Sequence, residues 1–129
     1  MHYPPNDVGA AIASGSFRCR GMAIVPCSMG TLAAIATGAS DNLLTRAASV
    51  AMKEGRPLIL VPRETPLSAI HLENMLKLAR LGVRVIPAMP AFYTKPRDLA
   101  DVVRFMVGKV LDQMGVDHEL YPRWGEANE

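Results

Sequence analysis

Cysteine is scarce in this chain, and the two that occur, Cys19 and Cys27, lie too close together to frame a secreted disulfide fold. They also lack the CxxC or Cys/His spacing of a zinc site, so they read as reduced thiols of a cytoplasmic protein, and no metal site is visible. Net charge is small, +2, with Lys and Arg dispersed along the chain. That balance argues against a nucleic-acid surface. Long apolar runs are missing: no stretch reaches the roughly 18 to 20 uncharged residues of a membrane helix. The opening MHYPPND has no basic segment leading into an apolar one, so the chain reads as neither spanning nor exported. Aromatic residues make only 5% of the chain, yet half of its 129 residues are hydrophobic. A single globular domain over residues 1–129, with a largely aliphatic core, follows from that composition.

What is present is a pattern of apolar runs that stop at proline. Ala23-Ile24-Val25 runs into Pro26-Cys27-Ser28-Met29-Gly30-Thr31, Leu58 to Val61 into Pro62-Arg63-Glu64-Thr65-Pro66, and Val83 to Ile86 into Pro87 through Lys95. Buried parallel strands, covered on both faces, read as continuous β-branched runs, and the crevice beyond their carboxyl ends is where open α/β sheets hold ligands. The loops therefore carry the function.

Helical signals fill the spaces between these strands. Asp7 reads as the N-cap of a short helix presenting Val8, Ala11 and Ile12 before Gly15. Thr31 to Ala36 is small and apolar enough for a closely packed helix ended by Gly38, and Asp41 or Asn42 caps the next one, with Leu44, Ala47, Ala48 and Ala51 at helical spacing before Gly55. Thr65 or Ser68 caps a helix whose buried stripe is expected at Leu72, Met75, Leu76 and Ala79, closed by Gly82. Asp98 to Met114 repeats Leu99, Val102, Val103, Met106, Val107 and Val110 helically, and the tail from Gly115 has little pattern. The order α, β, α, α, β, α, β, α predicts parallel βαβ units. Three strands are few beside the usual five or so, and the start does not resemble a doubly wound domain, so an N-terminally shortened fold is expected.

The stretches PCSMGTLAAIATG (26–38), LLTRAASVAMKEGRPLILVPRETP (43–66) and PAMPAFYTKPRDLADVV (87–103), with IASGSF (12–17) ahead of them, resemble the UbiX-type flavin prenyltransferases, within the flavoprotein family of homo-oligomeric flavin-containing Cys decarboxylases. The similarity runs from about Asp7 to Trp124. It implies a Rossmann-like, flavodoxin-like three-layer αβα fold with a mainly parallel sheet, of which this chain holds the C-terminal two thirds. Relatives carry a further N-terminal βα unit with a Gly-rich turn for the FMN phosphate. The implied activity is metal-independent transfer of a dimethylallyl group from dimethylallyl monophosphate to reduced FMN. Flavin N5 is alkylated first, a ring then closes through C6, and the prenylated FMN serves a UbiD-type decarboxylase. Large homo-oligomers, often dodecamers, are also implied.

A departing phosphate monoester gathers about two negative charges, which fixed cationic donors neutralise. The resemblance places Arg46, Lys53, Arg63 and Lys109 near that phosphate, with Tyr93 as a hydroxyl donor. As isolated residues all four cations also fit ordinary solvated positions. Glu64 could exchange a proton with the leaving phosphate, or else cap the following helix or pair with Arg63. Cys27, Ser28, Met29, Gly30 and Thr31, at a strand-to-helix turn, are expected to touch FMN, as is Arg63. Ser28 and Thr31 equally suit helix caps. Cys27 is expected to form a wall, and Trp124 either covers the site or anchors the tail. His71 and His118 read as surface or helix-packing residues.

Two other classes compete. An FMN-dependent Cys-type decarboxylase shares the fold, but such proteins carry PASANT and PAMN segments where this chain has PCSMGT and PAMP. A non-catalytic flavin-binding or assembly fragment would follow from the missing phosphate turn, and would retain little FMN.

Overall fold

The computed structural model describes residues 1–123 and 125. They fall into two compact units, Met1–Pro87 and Ala88–Glu129.

In the first unit the helix expected after Asp7 shrinks to one 3-10 turn, Ala11–Ala13, with Ala10 rather than Asp7 at its N-cap. Gly9 and Gly15 flank a segment too short to repay helix nucleation. The turn is held by packing: Ala10 and Ala13 cluster with Leu43, flanked by Tyr3 and Ile12. The Leu43 N–H also donates to the Pro5 carbonyl (2.8 Å).

Three parallel strands follow in the order β1-β2-β3: β1 (Met22–Cys27), β2 (Leu58–Pro62) and β3 (Arg84–Val85). Only β2 meets the expectation of burial on both faces, because Leu58 and Leu60 point one way, Ile59 and Val61 the other, and all four are buried. β1 is an edge strand whose Ile24 and Cys27 are buried while Val25 is 59% exposed. It also runs two residues further than its apolar run indicated, since Cys27 still pairs with Pro62 beyond an irregularity after Ile24. The Val25–Pro26 and Thr65–Pro66 peptide bonds are cis.

α1 (Met29–Thr37) starts two residues earlier than Thr31, because Ser28 takes the N-cap and accepts the Thr31 N–H. It ends where Gly38 turns left-handed (φ 76°). α2 (Leu43–Lys53) begins at a reciprocal capping box between Asn42 and Thr45. α3 (Ala69–Arg80) begins with Ser68 as its cap. The α3 stripe differs from expectation: Leu78 is fully buried and Met75 packs on the core, whereas Leu72 and Leu76 are half-exposed. Both rows have helical spacing; the side packed against the strands is the one carrying Leu78. Ile24, Leu32, Ile35, Leu58, Leu60, Leu78 and Val83 form the shared core, and each large side chain buried there contributes about 2 kcal/mol.

In the second unit Asp98 caps α4 (Leu99–Met114) by accepting the Asp101 N–H (2.9 Å), and Gly115 ends it in the left-handed region (φ 68°). The expected stripe again shifts: Phe105 and Gly108 are buried, while Leu99, Val103 and Val107 are exposed. The segment after Gly115 folds back on α4, bringing Tyr121 to the Phe105 ring (centroids 5.3 Å apart). Among the described residues no helix is long and apolar enough to cross a membrane.

Candidate functional site

Cys27 and Pro62 are register partners at the carboxyl ends of β1 and β2. The next residues, Ser28 and Arg63, therefore leave the sheet side by side, since neighbouring strands lie about 4.8 Å apart. The first unit thus brings together the Ser28–Thr31 turn with Arg63 and Glu64 at one rim. There the Thr31 N–H donates to Ser28 Oγ (3.1 Å), and the Ser28 hydroxyl donates to Thr31 Oγ1 (3.0 Å). Ser28 is thus the helix cap. Its bond leaves the Thr31 hydroxyl proton and the first-turn N–H groups of Met29 and Gly30 to act as donors at a helix start that carries no acidic residue.

Cys27 is buried behind this turn. It is 1% exposed, burial pushes its thiol up to about 11, and its Sγ–H lies 3.5 Å from the Ser28 carbonyl. A thiol in that state is neither nucleophile nor ligand. Arg63 and Glu64 are both exposed. Glu64 Oε1 accepts the Thr65 N–H (3.1 Å), and Ser68 caps α3, so of the structural alternatives for Glu64 neither helix capping nor an ion pair with Arg63 occurs among the described residues.

Arg46 and Lys53 project from α2 and are exposed. Two turns separate them, about 10 Å along the axis. Lys53 is the last residue of α2, 3.6 Å from Glu54 Oε1, and the short link after it enters β2 at Leu58. A surface groove lined by Met52, Gly55, Arg56, Leu58, Gly82 and Arg84 marks this amino end of the strands. β2 alone spans about 16 Å, so Lys53 lies at the opposite end of the sheet from Arg63.

Tyr93 and Lys109 belong to the second unit. Tyr93 is exposed in the loop before α4. Lys109 projects from α4 with its Nζ 5.6 Å from the Phe105 ring centre and 5.8 Å from that of Tyr121. Trp124 lies outside the described residues. A polar network around Asp112 was missed by sequence reasoning: His118 Nε2 lies 2.7 Å from Asp112 Oδ1, the Tyr121 hydroxyl donates to Oδ2, and Arg123 donates to both oxygens (2.9 and 3.2 Å). These bonds, the Arg123 bond first, hold the Asp112 carboxyl well below the usual carboxylate range, while burial and that carboxylate raise the Tyr121 phenol. The density of hydrogen-bonding side chains in DHELYPR was the available signal. Its partner, Asp112, lies within the helix and looks like any solvated charge. His118 is a helix-packing residue, 5% exposed at its side chain.

A family model described as Flavoprotein matches residues 7–111. The chain belongs to the flavoprotein family. Among its relatives, the flavin prenyltransferase UbiX of Halalkalibacterium halodurans is 60% identical over 124 residues, covering 96% of this chain and 60% of that protein. The UbiX of Pseudomonas aeruginosa is 55% identical, covering 95% and 59%. Two solved structures superpose closely. The dodecameric FMN-dependent UbiX-like decarboxylase of Escherichia coli O157:H7 gives a TM-score of 0.90 at 57% identity, covering 93% of this chain and 65% of that one. AnUbiX, solved with FMN and dimethylallyl pyrophosphate, gives 0.92 at 50% identity, covering 94% and 64%. This flavoprotein therefore has the α/β, flavodoxin-like fold of the UbiX group, and it spans about 60% of the length of the curated relatives it matches.

Proposed function

We propose that this flavoprotein chain carries the prenyl-donor rim of a flavin prenyltransferase, which moves a dimethylallyl group from dimethylallyl monophosphate to reduced FMN. The observation that carries this reading is the side-by-side exit of Ser28 and Arg63 from paired strand ends, which sets a capped helix start beside a guanidinium. The rim fits a flavin. A Cβ built on Gly30 would meet nothing nearer than Ser28 Oγ at 3.9 Å, so a planar ring can approach the helix start closely. The Thr31 hydroxyl and the Met29 and Gly30 N–H groups then suit a flavin carbonyl or phosphate.

Reduced FMN, when bound, supplies the nucleophilic ring nitrogen. The chain's own residues act on the donor: Arg63 offers two parallel N–H groups to the phosphate and stabilises the charge that grows as the carbon–oxygen bond breaks. On the other unit, Lys109 and Tyr93 are a cation and a hydroxyl suited to a donor phosphate. Glu64, exposed at the same rim as Arg63, gives or takes the proton that the leaving phosphate exchanges. Arg46 and Lys53 serve a neighbouring subunit's donor phosphate, which accounts for the placement of Lys53 away from Arg63. A UbiD-type decarboxylase in the cytoplasm would receive the product.

The test combines the chain, reduced FMN and dimethylallyl monophosphate, and follows the flavin by absorbance and mass spectrometry. A prenylated flavin is expected, with Arg63→Ala and Glu64→Gln each lowering turnover about a hundredfold. FMN retained without an adduct overturns the transferase reading, and consumption of a peptidyl cysteine would assign the chain to Cys-type decarboxylation instead.

A further inference from the structure

An exposed lysine ordinarily samples many rotamers, and immobilising it is one of the costs of binding an anion. Lys109 is restricted beforehand. Its Nζ lies within 6 Å of two ring centres, Phe105 on α4 and Tyr121 on the returning tail. The Tyr121 ring is in turn fixed from several sides. It rests directly on the α4 backbone at Gly108, where a Cβ would come within 2.6 Å of Tyr121 Cδ1 and 2.8 Å of His118 Cε1. It tilts 46° against Phe105 and 55° against His118. Its hydroxyl is tied to Asp112. The Leu120 N–H donates to His118 Nδ1 (3.1 Å), so Nε2 carries the proton directed at Asp112.

The same network also keeps the Lys109 charge available. Asp112 follows Lys109 by three residues on α4, and Tyr121, His118 and Arg123 engage both of its oxygens. Among the described residues Lys109 forms no ion pair.

We infer that Tyr121, clasped by Asp112, His118 and Arg123 and seated on Gly108, is a positioning residue that presents the Lys109 ammonium to a phosphate. The inference rests on the reading of Lys109 as a donor-phosphate contact, and it extends that reading to a group which itself touches no substrate. The ring supplies cation–π attraction that narrows the lysine's rotamers, and the hydroxyl fixes the ring.

The experiment compares Tyr121→Leu with Tyr121→Phe in the full chain. In Tyr121→Leu the KM for dimethylallyl monophosphate is expected to rise about threefold to fivefold with kcat changed less than about twofold and the KM for FMN unmoved. Tyr121→Phe keeps the ring and recovers most of that loss. In parallel, the Lys109 ε-methylene protons, read by NMR after selective lysine labelling, carry a ring-current shift that Tyr121→Leu removes and Tyr121→Phe retains. Should Tyr121→Leu fail to fold, Gly108→Ala displaces the ring by its new methyl and is expected to give the same two signatures. An unchanged donor KM and lysine shift in Tyr121→Leu would overturn the inference. So would parallel increases in both KM values, equal in Leu and Phe variants, which mark a purely structural tail. If the parent chain forms no prenylated flavin, the functional reading has failed, and the lysine shift still decides whether Tyr121 positions Lys109.

Discussion

With an ordinary pKa near 8.5, about a quarter of a thiol is ionised at pH 8; at about 11, the value burial gives Cys27, about a thousandth is. Cys19 is exposed, so the two cysteines differ in access. Iodoacetamide at pH 8 should alkylate Cys19 readily and Cys27 at least about a hundredfold more slowly, read by peptide mass spectrometry. Equal labelling would mean that β1 opens at its carboxyl end. That difference explains why the PCSMGT turn presents its hydroxyl and backbone N–H groups, while the most reactive atom type in the motif faces the core. The sequence offers Cys27 no activating His, and the structure adds a physical cause for its inertness: register pairing with Pro62 on a fully buried strand.

Apart from the segment after Asp7, which keeps only one 3-10 turn, helices were legible in extent and less so in facing. The caps Ser28, Asn42, Ser68 and Asp98 and the left-handed Gly38 and Gly115 are local chemistry, settled within four residues of chain. Which of two apolar rows turns inward depends on what the helix packs against, and α3 carries both Leu72–Leu76 and Met75–Leu78. Leu78→Ala should therefore cost about 2–4 kcal/mol in chemical denaturation, against less than about 1 kcal/mol for Leu76→Ala. Reversal of that ranking would restore the expected stripe. The tail clasp on α4 makes a second claim at this scale. Because the folded state depresses the Asp112 carboxyl, its contribution is fully present above the ordinary aspartate value of 3.8 and fades as pH falls below it. Asp112→Asn should lose about 1–2 kcal/mol near neutral pH, a figure discounted for partial solvent access. Its melting temperature should also fall less steeply than the parent's on acidification below pH 3.8.

At the scale of the molecule, the three-stranded parallel sheet and its order of helices could be read from apolar runs ending in proline, because strands and crossovers impose that alternation. The candidate rim was legible too, as the loops beyond the carboxyl ends of β1 and β2. What spacing could not supply was the distance between Lys53 and Arg63, since residues ten apart in the chain sit at the two ends of β2. A cation at the amino end of the strands cannot reach a phosphate held by Arg63 of the same copy across about 16 Å of strand. It can reach one held by another copy, and the E. coli relative at 57% identity is a dodecamer. Subunit mixing distinguishes these geometries. Lys53→Ala and Arg63→Ala proteins, each impaired about a hundredfold alone, should regain activity when dissociated and reassembled together, because a mixed oligomer contains rims in which Arg63 of one subunit faces Lys53 of another. For a two-subunit rim formed at random, about a quarter of the sites would hold both native cations. Mixtures that stay at the level of the single variants would place both cations in one subunit's site and remove the shared-rim geometry, while heavier species in light scattering would still report assembly.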